Sequence, residues 1–594
     1  MKIQYPTFKE VSMRKETRLA LIGIVLALVG CIVAALVQTG GGTIAVKDLR
    51  FNGPGGSVMS ALLYVPKTAT SKTPAPAILA VHGYINSRET QDGFAIEYAR
   101  RGYVVLALDQ TGHGYSDPPA FANGFGGPAG LAYLRGLDIV DKDNIGLEGH
   151  SMGGWTILAA AITTPDAYKS IVLEGSSTGA PFAAEGSTTW PRNLAVVFST
   201  MDEFSTLMWG VPRGADAPKS AKLQKVFGAA GPVEVGKVYG SIADGSARVL
   251  YQPNVTHPGD HISNAAIGHS IDWFAQTLKG GKAIATGDQV WGWKELGTFA
   301  GFIGFVFLIL GLGGMLLGTK AFAPSVRALP ATKGITGGGW WIGAIIMMAI
   351  PILTFFPFFK VGALLPASWL FPQTITTQIM VWAVLNGLIS LVLFLLWHFL
   401  SNKKAGGSAA SYGLAGGGTA LWKGIGSDLL LASVVAAAGC LLLELADYFF
   451  KVDFRLWILA LKPLSLPQFG IFLRYIIPFA AFFLMSSVAL NGQMRLPGAK
   501  ASTRFWANMM LLAGGFVVFL AAEYLPLFAG GTLLTASEPL NTIVAIQFLP
   551  LMVVASLIST WFFERTGRVY AGAFLNAIFV TWYIVAGQAV QFPL

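Results

Sequence analysis

The stretch Asn144-Ile145-Gly146-Leu147-Glu148-Gly149-His150-Ser151-Met152-Gly153-Gly154-Trp155 decides how the first half of this chain folds. Asn144–Glu148 reads as an apolar strand, and the residues from Met152 to Thr163 read as a helix. A serine between two glycines at such a junction sits on a sharp turn with its hydroxyl exposed. A serine hydroxyl is a poor nucleophile until a base takes its proton, and a carboxylate must hold that base in the right tautomer. Ser151 is therefore the candidate nucleophile, and its partners should lie in loops after later strands.

Spacing alone does not single out Ser151. Gly175-Ser176-Ser177-Thr178-Gly179 has the same spacing and also follows a strand-like run. Pro181 lies just beyond it and no helical pattern starts there, so Ser177 reads as part of a Gly/Ser-rich loop. Downstream of Ser151, the apolar run Asn193–Phe198 leads into Ser199-Thr200-Met201-Asp202. Asp202 is the candidate acid, with the adjacent Glu203 as its alternative. Arg248–Tyr251 is the last strand-like run, and His257 sits in the loop after it. An amphipathic helix follows over Ile262–Leu278, with Ala265, Ile267, Ile271, Phe274 and Leu278 apolar. His257 is the candidate base and His261 its competitor, while His269 falls within the helix and reads as a surface residue. A tetrahedral oxyanion needs two backbone N–H groups. Met152, next to the nucleophile, supplies one. Tyr84, in the loop after the Ala77–Val81 strand, supplies the other. His82 and His113 then read as structural.

Further strands are expected over Gly56–Val65, Tyr103–Leu108 and Ser170–Glu174, with helical pieces such as Gln91–Arg101 between them. Alternating strand and helix predicts a mostly parallel sheet with helices on both faces. The connection from Asp202 to Arg248 is long and carries Phe204, Leu207, Met208, Trp209, Val226 and Phe227. It reads equally as a lid over an apolar pocket and as a helix packed on the sheet.

These motifs carry a resemblance. The pieces HG at 82–83, DQTGHGYSD at 109–117 and GHSMGG at 149–154, with the Asp202 and His257 loops in the order Ser, Asp, His, resemble the α/β-hydrolase superfamily over residues 45–280. The resemblance is closest to the branch of esterases, lipases and dienelactone hydrolases, and it covers about 40% of the chain. It implies an eight-stranded, mostly parallel sheet and hydrolysis through an acyl-serine intermediate. It says nothing of the C-terminal half.

Only 12% of the 594 residues are charged, which is too few for a wholly soluble protein of this length. The net charge of +10 does not make a nucleic-acid face, because residues 43–290 hold 19 Lys/Arg against 21 Asp/Glu. The excess lies at the N-terminus and in short loops between apolar runs, which is the pattern of membrane topology. Residues 19–38 are uncharged and long enough to span a bilayer. Leu28-Val29-Gly30-Cys31 resembles a bacterial lipobox, but the apolar run continues well past Cys31 and fits an anchor better. Eight more spans are expected near 298–318, 338–358, 377–400, 425–446, 469–490, 505–527, 541–563 and 569–591. The N-terminus and alternate loops carry 16 basic residues against 4 on the other side, so the former side reads as cytoplasmic. The resulting organisation is a cytoplasmic tail at 1–18, an anchor at 19–38, an extracytoplasmic hydrolase domain at 43–281 and an all-α, eight-span membrane domain at 297–592. Leu594 falls on the hydrolase side.

Val452–Leu466 is apolar, short and interrupted by Pro463; it reads as lying in the outer interface or re-entering the membrane. Glu444, Arg474 and Glu523 fall in outer portions of their spans, where a carboxylate–guanidinium pair is expected, either as a polar entry site for a lipid or amphiphile or as an ion pair holding the three helices together. Cys31 and Cys440, the two cysteines, both sit in apolar spans, so no disulfide holds the hydrolase domain. No metal cluster, phosphate loop or dinucleotide fingerprint is evident, and no cofactor is expected. The function read from these residues is hydrolysis of a carboxylic ester, with a lipid or amphiphilic acyl substrate, at the outer membrane face. The same triad would serve acyl transfer or amide cleavage. A reading of another class is a transporter or receptor whose hydrolase-like domain only binds.

Overall fold

The computed structural model describes residues 8–415 and 420–593, with side chains from 14 onward. Lys2 and the side chain of Lys9, two of the N-terminal basic residues, lie outside the described residues. Helix α1 (Phe8–Gln38) runs without a break through the tail boundary, the apolar anchor and Cys31. Part of the expected tail is thus a continuation of the anchor helix.

An eight-stranded sheet follows. Its strands are β1 (Ile44–Asn52), β2 (Val58–Pro66), β3 (Ala75–Val81), β4 (Val104–Asp109), β5 (Val140–His150), β6 (Ser170–Glu174), β7 (Leu194–Val197) and β8 (Arg248–Tyr251). The order is β1-β2-β4-β3-β5-β6-β7-β8; β2 runs antiparallel to both neighbours, and the strands from β4 to β8 are parallel. Successive side chains point to opposite faces, and both faces are covered, so the central strands are apolar throughout. Leu79, Leu106, Leu147, Leu173 and Val196 face one layer, formed by α3 (Gly127–Arg135) and α4 (Met152–Thr163). Ile78, Val105, Val172, Ala195 and Val249 face the other, formed by α2 (Asp92–Arg100) and α7 (Asn264–Thr277). Two short helices, α5 (Ser205–Trp209) and α6 (Ala221–Phe227), lie in the long connection after β7.

The rest of the chain is helical. Its helices are α8 (Trp291–Leu317), α9 (Gly338–Leu353), α10 (Phe355–Ala363), α11 (Thr374–Trp397), α12 (Leu421–Phe450), α13 (Leu466–Val488), α14 (Ala501–Phe528), α15 (Pro539–Thr566) and α16 (Tyr570–Gly587). Among the described residues, nine helices are long and apolar enough to cross a membrane, with α9 and α10 forming one of them. That span breaks at Thr354 because Pro357 has no N–H to donate to the Leu353 carbonyl and its ring crowds it. Helix α1 lies along α8 through glycines seven residues apart, Gly23 and Gly30 against Gly297, Gly304 and Gly311. A Cβ on Gly304 would stand 2.5 Å from the Gly23 carbonyl oxygen. Small residues at this spacing let two backbones touch.

Val452–Leu466 lies where the sheet domain meets the helical half. It contains a two-stranded hairpin, β9 (Phe454–Leu456) and β10 (Leu459–Leu461), buried between the sheet domain and the helices. Its Arg455 and Lys462 are held by acids, Asp453 beside the hairpin and Glu89 in the sheet domain. One expectation needs correction: Glu444, Arg474 and Glu523 form no ion pair with one another among the described residues. Their helices have other neighbours: α12 packs on α8 and α16, α13 on α11 and α16, and α14 on α9 and α15. Glu523 instead accepts hydrogen bonds from the Thr535 N–H and hydroxyl, at 2.9 and 2.7 Å. Arg474 lies over the Trp369 ring, 4.6 Å from its centroid.

Candidate active site

Parallel pairing gathers the ends of β3, β5, β6, β7 and β8 on one side, where the loops of such sheets build sites. Val81 pairs with Gly149, His150 with Glu174, and Val197 with Tyr251. Ser151 follows β5 directly, at φ 54° and ψ −120°, a backbone conformation that a serine rarely adopts. Two features hold it there. Its N–H donates to the Glu174 carbonyl at 2.8 Å, and its own carbonyl accepts from Gly154 N–H at 2.9 Å and the Ser176 hydroxyl at 2.7 Å. The turn also demands a glycine at 153, where a Cβ would stand 2.1 Å from the Val81 carbonyl oxygen.

Pairing of β7 with β8 persists beyond the strands. Thr200 N–H donates to the Pro253 carbonyl, and Met201 bridges to Thr256. This brings Asp202 beside His257. The His257 Nδ1–H donates to Asp202 Oδ2 at 2.8 Å, while Asp202 Oδ1 accepts the Phe204 N–H at 2.7 Å. Ser151 and His257 line one cavity. Glu203 points elsewhere: it accepts the backbone N–H of His257 at 2.7 Å and the Tyr524 hydroxyl of α14 at 2.9 Å. His261 also lines the cavity, but its ring lies against His150, with centroids 4.0 Å apart, and its Nδ1 has no partner. Of the two acids and two bases left open by the sequence, the structure thus couples Asp202 to His257.

Tyr84 and Met152 both line the same cavity. Neither N–H takes part in a hydrogen bond among the described residues. His82 bonds the Gly83 carbonyl at 2.6 Å and accepts from Gln110 N–H at 3.2 Å, and His113 bonds the Thr111 carbonyl at 3.0 Å. Both rings brace backbone. Ser177 is fully buried in a loop, with Lys222 Nζ at 3.3 Å from its hydroxyl, and no helix follows it.

Residues 76–294 match the family described as the alpha/beta hydrolase fold. The chain carries an α/β-hydrolase domain. An uncharacterized protein of Mycobacterium tuberculosis is 28% identical over 222 residues, 34% of this chain and 55% of that protein. The chain thus spans about half the length of the curated relatives it matches. A 2-hydroxy-6-oxononadienedioate/2-hydroxy-6-oxononatrienedioate hydrolase of Cupriavidus pinatubonensis is 36% identical over 80 residues, 14% of this chain and 28% of that enzyme. Among solved structures, an esterase of Pyrococcus furiosus aligns over 41% of this chain and 96% of its own, at 16% identity and a TM-score of 0.29.

The titratable side chains at the site are buried. Burial pulls the His257 imidazole down to about 4, against the pull of Asp260, so the ring is neutral at neutral pH and able to take a proton. Burial, reinforced by the neighbouring Asp202, pushes the Glu203 carboxyl up to about 8. The His257 N–H and the Tyr524 hydroxyl, both donating to this carboxyl, pull the other way without overcoming burial. The sign for stability follows. An unfolded Glu203 ionises near the ordinary value of 4.5, while the folded one keeps its proton to about 8. Across that window the folded state holds the extra proton, so stability falls as pH rises. Glu203→Gln is expected to remove this loss. The thermal midpoint of the variant should rise relative to the parent between pH 5 and 8, read by unfolding at each pH.

Several functional contacts were not readable from the sequence. The hydrolase domain is bound to the helical half by buried charge. Lys294 of α8 meets Asp92 at 2.5 Å and Gln38 of α1 at 2.6 Å, and Lys462 meets Glu89 at 2.8 Å. The C-terminal segment also docks: Val590 bonds Gly112 and Ala120 through backbone, and Gln591 donates to the Tyr84 hydroxyl at 2.8 Å. These partners lie hundreds of positions apart, and no local pattern links them. His150 is the exception. It adjoins Ser151, and its Nε2–H donates to the His257 carbonyl at 2.9 Å, tying the Ser151 turn to the His257 loop.

Proposed function

We propose that the chain is a membrane-embedded serine hydrolase that cleaves carboxylic esters through an acyl-serine intermediate. His257 Nε2 takes the Ser151 proton as the oxygen attacks the ester carbonyl. Asp202 holds the ring and stabilises the imidazolium. The N–H groups of Met152 and Tyr84 receive the oxyanion. The imidazolium then gives its proton to the leaving alkoxide. Water, deprotonated by the same ring, releases the acid and restores Ser151. The observation that carries this reading is the strained Ser151 turn facing the same cavity as an imidazole already paired with a buried carboxylate.

In this reading the hydrolase domain lies outside the cell membrane and the N-terminus inside. The basic loops support it. Glu16 of α1 pairs with Arg565, and Asp428 with Arg568, at the helix ends away from the hydrolase domain. On the domain's own side, two of the four basic residues, Arg455 and Lys462, are consumed by buried acids. A lipid or amphiphilic ester is the substrate class that a site at a membrane face would meet.

Product analysis tests the reading. Full-length protein in detergent micelles, given aryl esters with and without an added alcohol, is expected to release free acid. Transfer of the acyl group to the alcohol in preference to water would make it an acyltransferase. No turnover of any ester would overturn the proposal.

A further inference from the structure

The catalytic cavity has a volume of about 300 Å³, at the small end for ligand sites. Its upper wall is the hydrolase domain. Its lower wall is a membrane helix: Leu540, Ile543 and Gln547 of α15, spaced to share one helix face. Further down α15, Val544, Phe548, Leu551 and Met552 line a second, tighter crevice inside the helical bundle. That crevice is almost wholly apolar, and Gln547 is the one residue common to both linings. Tyr583 of α16 lines the crevice, and its hydroxyl donates to Gln547 Oε1 at 2.7 Å. A polar side chain between apolar walls is costly unless paired. Here the pair lies at the one residue that the two linings share. At the opposite end Phe121, Phe182 and Leu207 line the cavity and are about half exposed, which gives it an apolar entrance.

We propose that Gln547, held by Tyr583, is the floor that sets how long a linear aliphatic chain the catalytic cavity accepts. The inference rests on the ester-hydrolase reading. The ester bond sits at Ser151, and a straight aliphatic chain of the substrate runs down the α15 face to Gln547. Truncating Gln547 deepens the cavity by the volume of its own side chain and opens it onto the crevice below, which holds only about 20 Å³ but offers apolar contact from Trp382, Phe482 and Phe548. The Tyr583 hydroxyl is not stranded by that change, because the Ile458 carbonyl stands 3.4 Å away.

The test uses full-length protein in micelles and two ester series, one lengthened in the acyl half and one in the alcohol half. The readout is the ratio of kcat/KM for the twelve-carbon ester to that for the two-carbon ester. In Gln547→Ala this ratio should rise by about tenfold in one series, the discrimination that a methylene-sized change in an apolar pocket carries. That series identifies which half of the ester occupies the floor. Ile543→Trp, which fills the path above the floor, should lower the same ratio by a similar factor. Ratios unmoved in both variants, or a loss that is equal at every chain length, would overturn the inference while leaving the hydrolase reading intact. A parent protein inactive on every ester would instead remove the reading beneath it.

Discussion

Ser151→Ala is expected to lower kcat/KM for a carboxylic ester by on the order of 10⁴- to 10⁶-fold, the scale on which a triad nucleophile acts. The fold should survive, because the turn is held by backbone contacts and by Gly153, not by the hydroxyl. His257→Ala should lose about as much, and the double variant little more, since the two side chains act as one unit. Additive losses would mean that serine and histidine work independently, and the proposed proton transfer would then be wrong. Initial-rate measurements on all three variants, each checked for an unchanged thermal midpoint, decide the matter.

Asp92→Asn is expected to cost about 3–5 kcal/mol, the penalty for leaving a buried charge without its partner. Asp92 and Lys294 are both nearly inaccessible and meet at 2.5 Å, with Gln38 and Tyr64 completing the cluster. The cluster joins α2 of the hydrolase domain to α1 and α8. Once the carboxylate is replaced by an amide, the ammonium retains only uncharged amide oxygens. Replacing both partners, Asp92→Asn with Lys294→Met, removes the stranded charge, so the double variant should recover much of the loss. Thermal unfolding in micelles reads both effects. A double variant less stable than either single one would show that the ion pair contributes more than the removal of its own desolvation penalty.

The parts of this fold that were legible in the sequence are those with local causes. Strands buried on both faces are apolar runs, so β3, β4 and β6 were readable within a residue or two. Ser151 was readable because a strand, a glycine-flanked turn and a helix lie in one short stretch. Strand β1 was not expected. It is the sheet's edge, its alternate residues face water, and Lys47, Asp48 and Arg50 break any apolar run. Spacing cannot separate adjacent residues either. Asp202 and Glu203 were left open, and only the fold turns one toward an imidazole and the other toward a backbone N–H and a phenol 321 positions away. The hairpin at β9–β10 is not legible in the sequence for a related reason. Trp457 and Ile458 look like residues of a membrane interface. In the structure the Trp457 indole N–H donates to the Pro258 carbonyl at 2.6 Å, and Ile458 walls the cavity that Ser151 and His257 line. The expected outer-leaflet ion pair failed because depth in the membrane was taken for proximity. Equal depth on α12, α13 and α14 does not make those helices neighbours.

The most direct measurement is covalent. Full-length protein in micelles, treated with an alkyl fluorophosphonate and mapped by peptide mass spectrometry, is expected to carry the adduct on Ser151. His257→Ala should carry none. A parent protein that stays unlabelled, or one labelled at Ser177 with Ser151 unmodified, would contradict the assignment.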